Sequence, residues 1–243
     1  MKYSITGSNL QIANIELTPS ETINAETGAM IYKSGNVTID VETKGIGKAI
    51  KRLFIGESLF LTKFKSIGGS GILGVAGKVP GKIKAFKLVK KQEIIAERGA
   101  YLCSESSVEI GVSIVKKIGA GFFGGEGVIL EKIIGPGTVL LQAAGDLIEY
   151  NLEKNQRIDV DTEHIVAFDP TVSYDIRRVG NIKTTVFGGE GIFLAQLTGP
   201  GRVVLQSMTK SMLSPKVVKS GNSNSKTEGA EVLGKVLGGM MKK

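Results

Sequence analysis

From Val37 the chain alternates, with Val37, Ile39 and Val41 apolar and Thr38, Asp40 and Glu42 polar. The same two-residue period returns at Val108, Ile110, Val112 and Ile114, and again at Val172, Tyr174 and Ile176. A period of two puts every second side chain on one face of an extended chain, so each run predicts a strand with one buried side. Runs of this kind recur at roughly 8–12-residue spacing between Gly, Asn and Asp turns, the pattern of a β-sandwich or barrel. Helical periodicity is nearly absent over residues 1–206, with Ile46–Leu53 the one candidate. The expectation is an all-β fold.

The strands repeat as a set. Residues 124–142 read GGEGVILEKIIGPGTVLLQ and residues 188–206 read GGEGIFLAQLTGPGRVVLQ, identical at 11 of 19 positions across an offset of 64. The glycine signatures are Gly124, Gly125 and Gly127 with Gly188, Gly189 and Gly191. The turn signatures are Gly135-Pro136-Gly137 and Gly199-Pro200-Gly201. A more diverged copy opens the chain: INAETGAMIY at 23–32 lies over IIAERGAYLC at 94–103 and IDVDTEHIVA at 158–167. Fixed-period self-similarity marks a repeat architecture. The units expected are 1–84, 85–148 and 149–212, in a pseudo-threefold arrangement within one body, because the joints lack linker composition. Residues 213–243 form a separate basic Gly/Ser/Lys tail, short and helical or disordered.

The opening MKYSITG, AETGAMIYKSGNV at 25–37, RLFIGESLFLTKF at 52–64, FFGGEG, the Gly-Pro-Gly pairs and DTEHIVAF at 161–168 resemble the Altered Inheritance of Mitochondria 24 family. The resemblance covers about residues 1–206. It implies three repeats, each a short double-stranded β-helix related to the tryptophan RNA-binding attenuator fold. It further implies a domain without a settled activity in prokaryotes, with mitochondrial relatives implicated in inner-membrane organisation. The family pattern has Gly before its His, whereas here Glu163 precedes His164; if that position needed φ > 0, a glutamate would strain it.

Charge changes the picture less than its total of +8 suggests. From Ser207 onward seven lysines face two glutamates, leaving only +3 over residues 1–206. After a Gly/Ser/Asn/Lys linker at 221–227, Val232, Leu233, Val236, Leu237, Met240 and Met241 fall on one helical stripe. Such a basic amphipathic segment at 230–243 suits peripheral contact with an anionic membrane surface or a neighbouring subunit. No apolar run approaches the roughly 20 residues of a spanning helix, and no leader pattern opens the chain, so a cytoplasmic protein is expected, peripheral to a membrane if the tail binds one.

Candidate chemistry is sparse. Glu57, Glu126 and Glu190 occupy equivalent positions in the three copies, and threefold placement would let three carboxylates converge on calcium or magnesium. The alternative is a glutamate that holds backbone amides in a glycine turn. Gly119–Gly124 spells G-x-G-x-x-G, but an alternating strand rather than a helix follows it, which removes the dinucleotide reading. Gly71–Lys78 ends in Gly-Lys but has Val79 where a phosphate loop needs Ser or Thr. Cys103, the single cysteine, reads as a buried small hydrophobe. His164, the single histidine, reads as a structural group in a strand. The chain has no Trp and 6% aromatic residues, too few exposed stacking platforms to expect nucleic acid. Lys82, Lys84, Lys87, Lys90 and Lys91 alternate with apolar residues as a solvated strand face does.

No cofactor and no catalytic residue is expected, and the sequence names no small-molecule ligand. The function expected is a non-enzymatic structural or interaction protein acting as a homo-oligomer or through a partner or membrane surface. The alternatives are a cation- or small-molecule-binding module built on the three glutamates and, on the fold resemblance, RNA binding.

Overall fold

The computed structural model describes residues 1–19, 21–41, 61–116, 128–179, 192–209 and 212. The strands before residue 80 are β1 (Lys2–Thr6), β2 (Ile12–Leu17), β3 (Thr22–Glu26), β4 (Met30–Lys33), β5 (Val37–Val41), β6 (Leu61–Ser66) and β7 (Gly71–Ala76). Then follow β8 (Gly81–Leu88), β9 (Glu93–Glu97), β10 (Tyr101–Glu105), β11 (Glu109–Lys116), β12 (Val128–Ile134) and β13 (Gly137–Ala144). The last are β14 (Leu147–Leu152), β15 (Arg157–Asp161), β16 (Ile165–Phe168), β17 (Ser173–Val179), β18 (Ile192–Thr198) and β19 (Gly201–Gln206). Among the described residues, single 3-10 turns at Arg98–Ala100 and Thr162–His164 interrupt them. The fold is all-β. The chain divides at Met212/Leu213, and all of these strands lie in Met1–Met212. Ile46–Leu53 falls outside the described residues.

The strands make antiparallel sheets in the orders β1-β2-β7-β4, β5-β6-β3-β10-β13-β8, β11-β12-β9-β16-β19-β14 and β15-β18-β17. Pairings recur at the sequence offsets. Leu17 faces Gly71, Leu88 faces Gly137 and Leu152 faces Gly201. The same register shift breaks β4·β7 between Met30 and Tyr32, β10·β13 between Tyr101 and Cys103, and β16·β19 between Ile165 and Ala167. The middle sheets are joined by β3·β10, with Ala25 opposite Cys103, and by β9·β16, with Ala96 opposite Ala167. The sequence boundaries at 84/85 and 148/149 therefore cut through β8 and β14, four and two residues after these strands begin.

Three apolar clusters follow the joins. In the first, Ile15, Ile23, Phe64 and Leu73 are closed over by Leu102, Cys103 and Leu140 from later strands. In the second, Ile94, Tyr101 and Ile133 are closed over by Val166, Ala167 and Val204. The third holds Leu130, Leu152, Phe168 and Leu197, with Ile158, Val160, Tyr174 and Ile176 only partly buried at its margin. Phe168 and Tyr174 stack there with ring centroids 5.7 Å apart.

Strict alternation overstates the burial of the outer strands. Val37 is buried but Ile39 is 45% exposed, because β5 ends its sheet and little covers its second apolar position. In β11 the register against β12 slips between Val112 and Ile114. A bulge adds one residue against its partner and resets the side-chain parity beyond it.

Candidate functional site

The candidate metal residues Glu57, Glu126 and Glu190 lie outside the described residues, as do Gly124, Gly125, Gly127, Gly188, Gly189 and Gly191. The Gly-Pro-Gly segments are described, and each links two successive strands of different sheets, β12 to β13 and β18 to β19. The Gly135-Pro136 and Gly199-Pro200 peptides are cis. Gly137 and Gly201 take φ +136° and +142°, a region that side-chain-bearing residues avoid. A Cβ on Gly137 would also press within 2.8 Å of Ser107 Oγ and 2.9 Å of Val108 Cγ2.

A side chain that the sequence did not single out anchors each turn. The Thr138 amide donates to the Glu105 carboxylate, the Arg202 amide donates to Asp169 Oδ2 at 2.9 Å, and the Ile72 amide donates to Ser34 Oγ at 3.0 Å. Ser34, Glu105 and Asp169 each fall just beyond β4, at the end of β10 and just beyond β16. Burial works against the charged form of Glu105, but the bonds from the Met1 amine and the Thr138 amide outweigh it and hold its carboxyl below the usual range. These carboxylates are occupied with the backbone. Their equivalence is visible in sequence only after the copies are aligned, since Ser replaces the acid in the first.

The chemically unusual group is Glu131, on β12 opposite Ala96. It is 3% exposed, and its Oε2 has no hydrogen-bond partner among the described residues. Burial drives its pKa up to about 8; Arg98 opposes the rise, while Glu97 and Glu26 add to it. Burial therefore favours the protonated form of Glu131. Nearby, Glu26, Lys78, Glu97, Gly99, Gln142 and Gln206 line a cavity of about 160 Å³. Lys78 neutralises Glu26 at 2.7 Å, and Gln142 Nε2 donates to the Gly99 carbonyl at 3.0 Å. Among the described residues no group of three or more His, Cys, Asp or Glu side chains has metal-binding geometry.

The other singled-out residues resolve as structure. Cys103 is fully buried, and burial pushes its thiol pKa up. His164 sits in a 3-10 turn rather than a strand, because the Asp161 carboxylate caps the turn at the Glu163 amide; its Nδ1 lies 2.7 Å from the Gln206 carbonyl. Glu163 is not strained, since the positive-φ residues other than glycine among those described are Lys91 and Asn155. Gly71–Ala76 is strand β7, not a phosphate loop. Lys82 and Lys84 lie on β8 between buried Gly81, Ile83 and Phe86, and Lys84 pairs with Glu149 at 2.6 Å. No helix among the described residues is long and apolar enough to cross a membrane.

The sheet ends are the remaining surface of note. β4 ends the first sheet and β15 ends the last, and among the described strands neither takes a second partner. Met30, Ile31 and Tyr32 on β4 are 37%, 51% and 43% exposed.

Comparison with known proteins agrees with the sequence resemblance. The model of the family described as mitochondrial biogenesis AIM24 matches residues 3–208. An uncharacterized protein of Streptococcus pyogenes serotype M6 is 28% identical over 218 residues, covering 86% of each chain. The crystal structure of a Streptococcus pyogenes protein superposes with a TM-score of 0.72 at 25% identity, covering 87% of this chain and 95% of that one.

Proposed function

The chain belongs to the AIM24 family, and from that premise we propose that it is a non-enzymatic interaction protein that works by assembling with copies of itself. Its body is read as three copies of one six-stranded unit, β2–β7, β8–β13 and β14–β19, each a short double-stranded β-helix. The recurring registers and the recurring bulge support that reading. The observation that carries the function is the sharing of sheets: β10 completes the sheet and core of the first unit, and β16 does so for the second. A unit that is closed only by its successor is built for serial association. The setting proposed is the cytoplasm, with the 230–243 tail available to an anionic membrane surface.

Light scattering on size-separated full-length protein, run from low to high micromolar concentration, tests the reading. The expected result is a discrete multiple of the chain mass. A single-chain mass at every concentration overturns it.

A further inference from the structure

We infer that β4 of one copy adds to β15 of the next, antiparallel, with Tyr32 opposite Val160 and Lys33 opposite Asp159, so that copies join head to tail. This rests on the assembly reading and specifies its contact. The register follows from the two internal joins. Cys103 faces Ala25 and Ser104 faces Asn24 in the first; Ala167 faces Ala96 and Phe168 faces Ile95 in the second. The bulge aligns Tyr32 with Cys103 and Ala167. The pairings of β15 with β18 and β9 with β12 align Val160 with Ala96. Carrying the internal joins over gives the register stated.

Burial says the same thing from both sides. Tyr101, Leu102 and Cys103 are each fully buried, as are Ile165, Val166 and Ala167 to within 1%. The matching Met30, Ile31 and Tyr32 are the exposed set. On the facing side, β3 and β9 bury their three central residues, whereas β15 leaves Ile158 and Val160 half-covered and Asp159 exposed. Those two half-covered residues border the core cluster that, among the described strands, no later strand closes. Tyr32 takes the place of smaller Cys103 and Ala167, and its ring lies over Gly74, where β13 and β19 carry Leu140 and Val204. The volume is exchanged between the two positions.

Charged residues on an edge strand often serve to block pairing, and β15 carries Arg157, Asp159 and Asp161. A blocked edge does not explain three consecutive large apolar residues left open on β4. In the inferred register Lys33 falls opposite Asp159, and opposite charges directly across a ladder favour the pair.

Because the two faces differ, the contact is heterologous, and a crosslink reads it directly. One chain carries Lys33→Cys and another carries Asp159→Cys, with buried Cys103 retained. Mild oxidation of the mixture should give a disulfide-linked dimer on a denaturing gel, while neither variant alone crosslinks. The doubly substituted chain should give a ladder. Lys33→Glu should weaken assembly roughly tenfold by like-charge opposition, and adding Asp159→Lys should restore it. If light scattering shows an oligomer but the mixture does not crosslink, this contact is wrong and the assembly reading stands. If Lys33→Cys crosslinks to itself, the head-to-tail order is wrong. If the protein is a single chain throughout, both fall.

Discussion

Glu131 illustrates how far a single residue can depart from what its surroundings in sequence suggest. By the two-residue period it shares a strand face with Ile129 and Ile133, but nothing local says whether that face is covered. The strand is paired along both edges, with β11 and β9, and Leu130 and Glu131, on opposite faces, are both buried, a fact carried by distant residues. Its carboxyl has a folded pKa of about 8 against an ordinary 4.5. Between those values the folded chain holds a proton that the unfolded chain has released, so stability falls as pH rises from about 4.5 to about 8 and levels off above. Glu131→Gln removes that dependence: its melting temperature should match the parent near pH 5 and exceed it at pH 8. An unchanged pH slope in denaturant titrations across that range would show that Glu131 ionises freely in the fold. Cys103 was the opposite case, legible because a lone thiol in an apolar run is usually core.

Elements were legible where chemistry is local. The Gly-Pro-Gly turns announce themselves, and alternation located β5, β11 and β17. What it could not supply was which strands end a sheet, hence the exposed Ile39, or where the register slips, as in β11. Those depend on partners up to a whole unit away. The turns also carry a graded prediction. Gly137→Ala meets both an unfavourable φ and the Ser107 and Val108 side chains, whereas Gly68, at φ +74°, has nothing within 4 Å of an added Cβ. Gly137→Ala should cost about 1–3 kcal/mol, and Gly68→Ala nearer 1, as measured by urea unfolding. Equal costs would mean that the packing around Gly137 yields freely.

At the scale of the molecule, the repeat was visible as an offset of 64 residues, but its boundaries fell inside β8 and β14. Identity between copies marks turns and core positions; it does not mark where a strand changes neighbours. The tail supplies the prediction for this scale. Residues 1–212 should fold with the same cooperative melt as the full chain, yet lose co-sedimentation with anionic lipid vesicles. Equal co-sedimentation by both forms would remove 230–243 as the membrane contact. The sharing of sheets has one more consequence, for the order of events at synthesis. The first core is closed by Leu102, Cys103 and Leu140, and Ala25 takes its β10 partner only from Cys103, far along the chain. At about 5–20 residues per second, that partner follows Ala25 by roughly 4–16 s. During that interval the emerging segment has an apolar face without its cover. Until β10 and β13 leave the ribosome, Ile15, Ile23, Phe64 and Leu73 lack the residues that cover them in the finished fold.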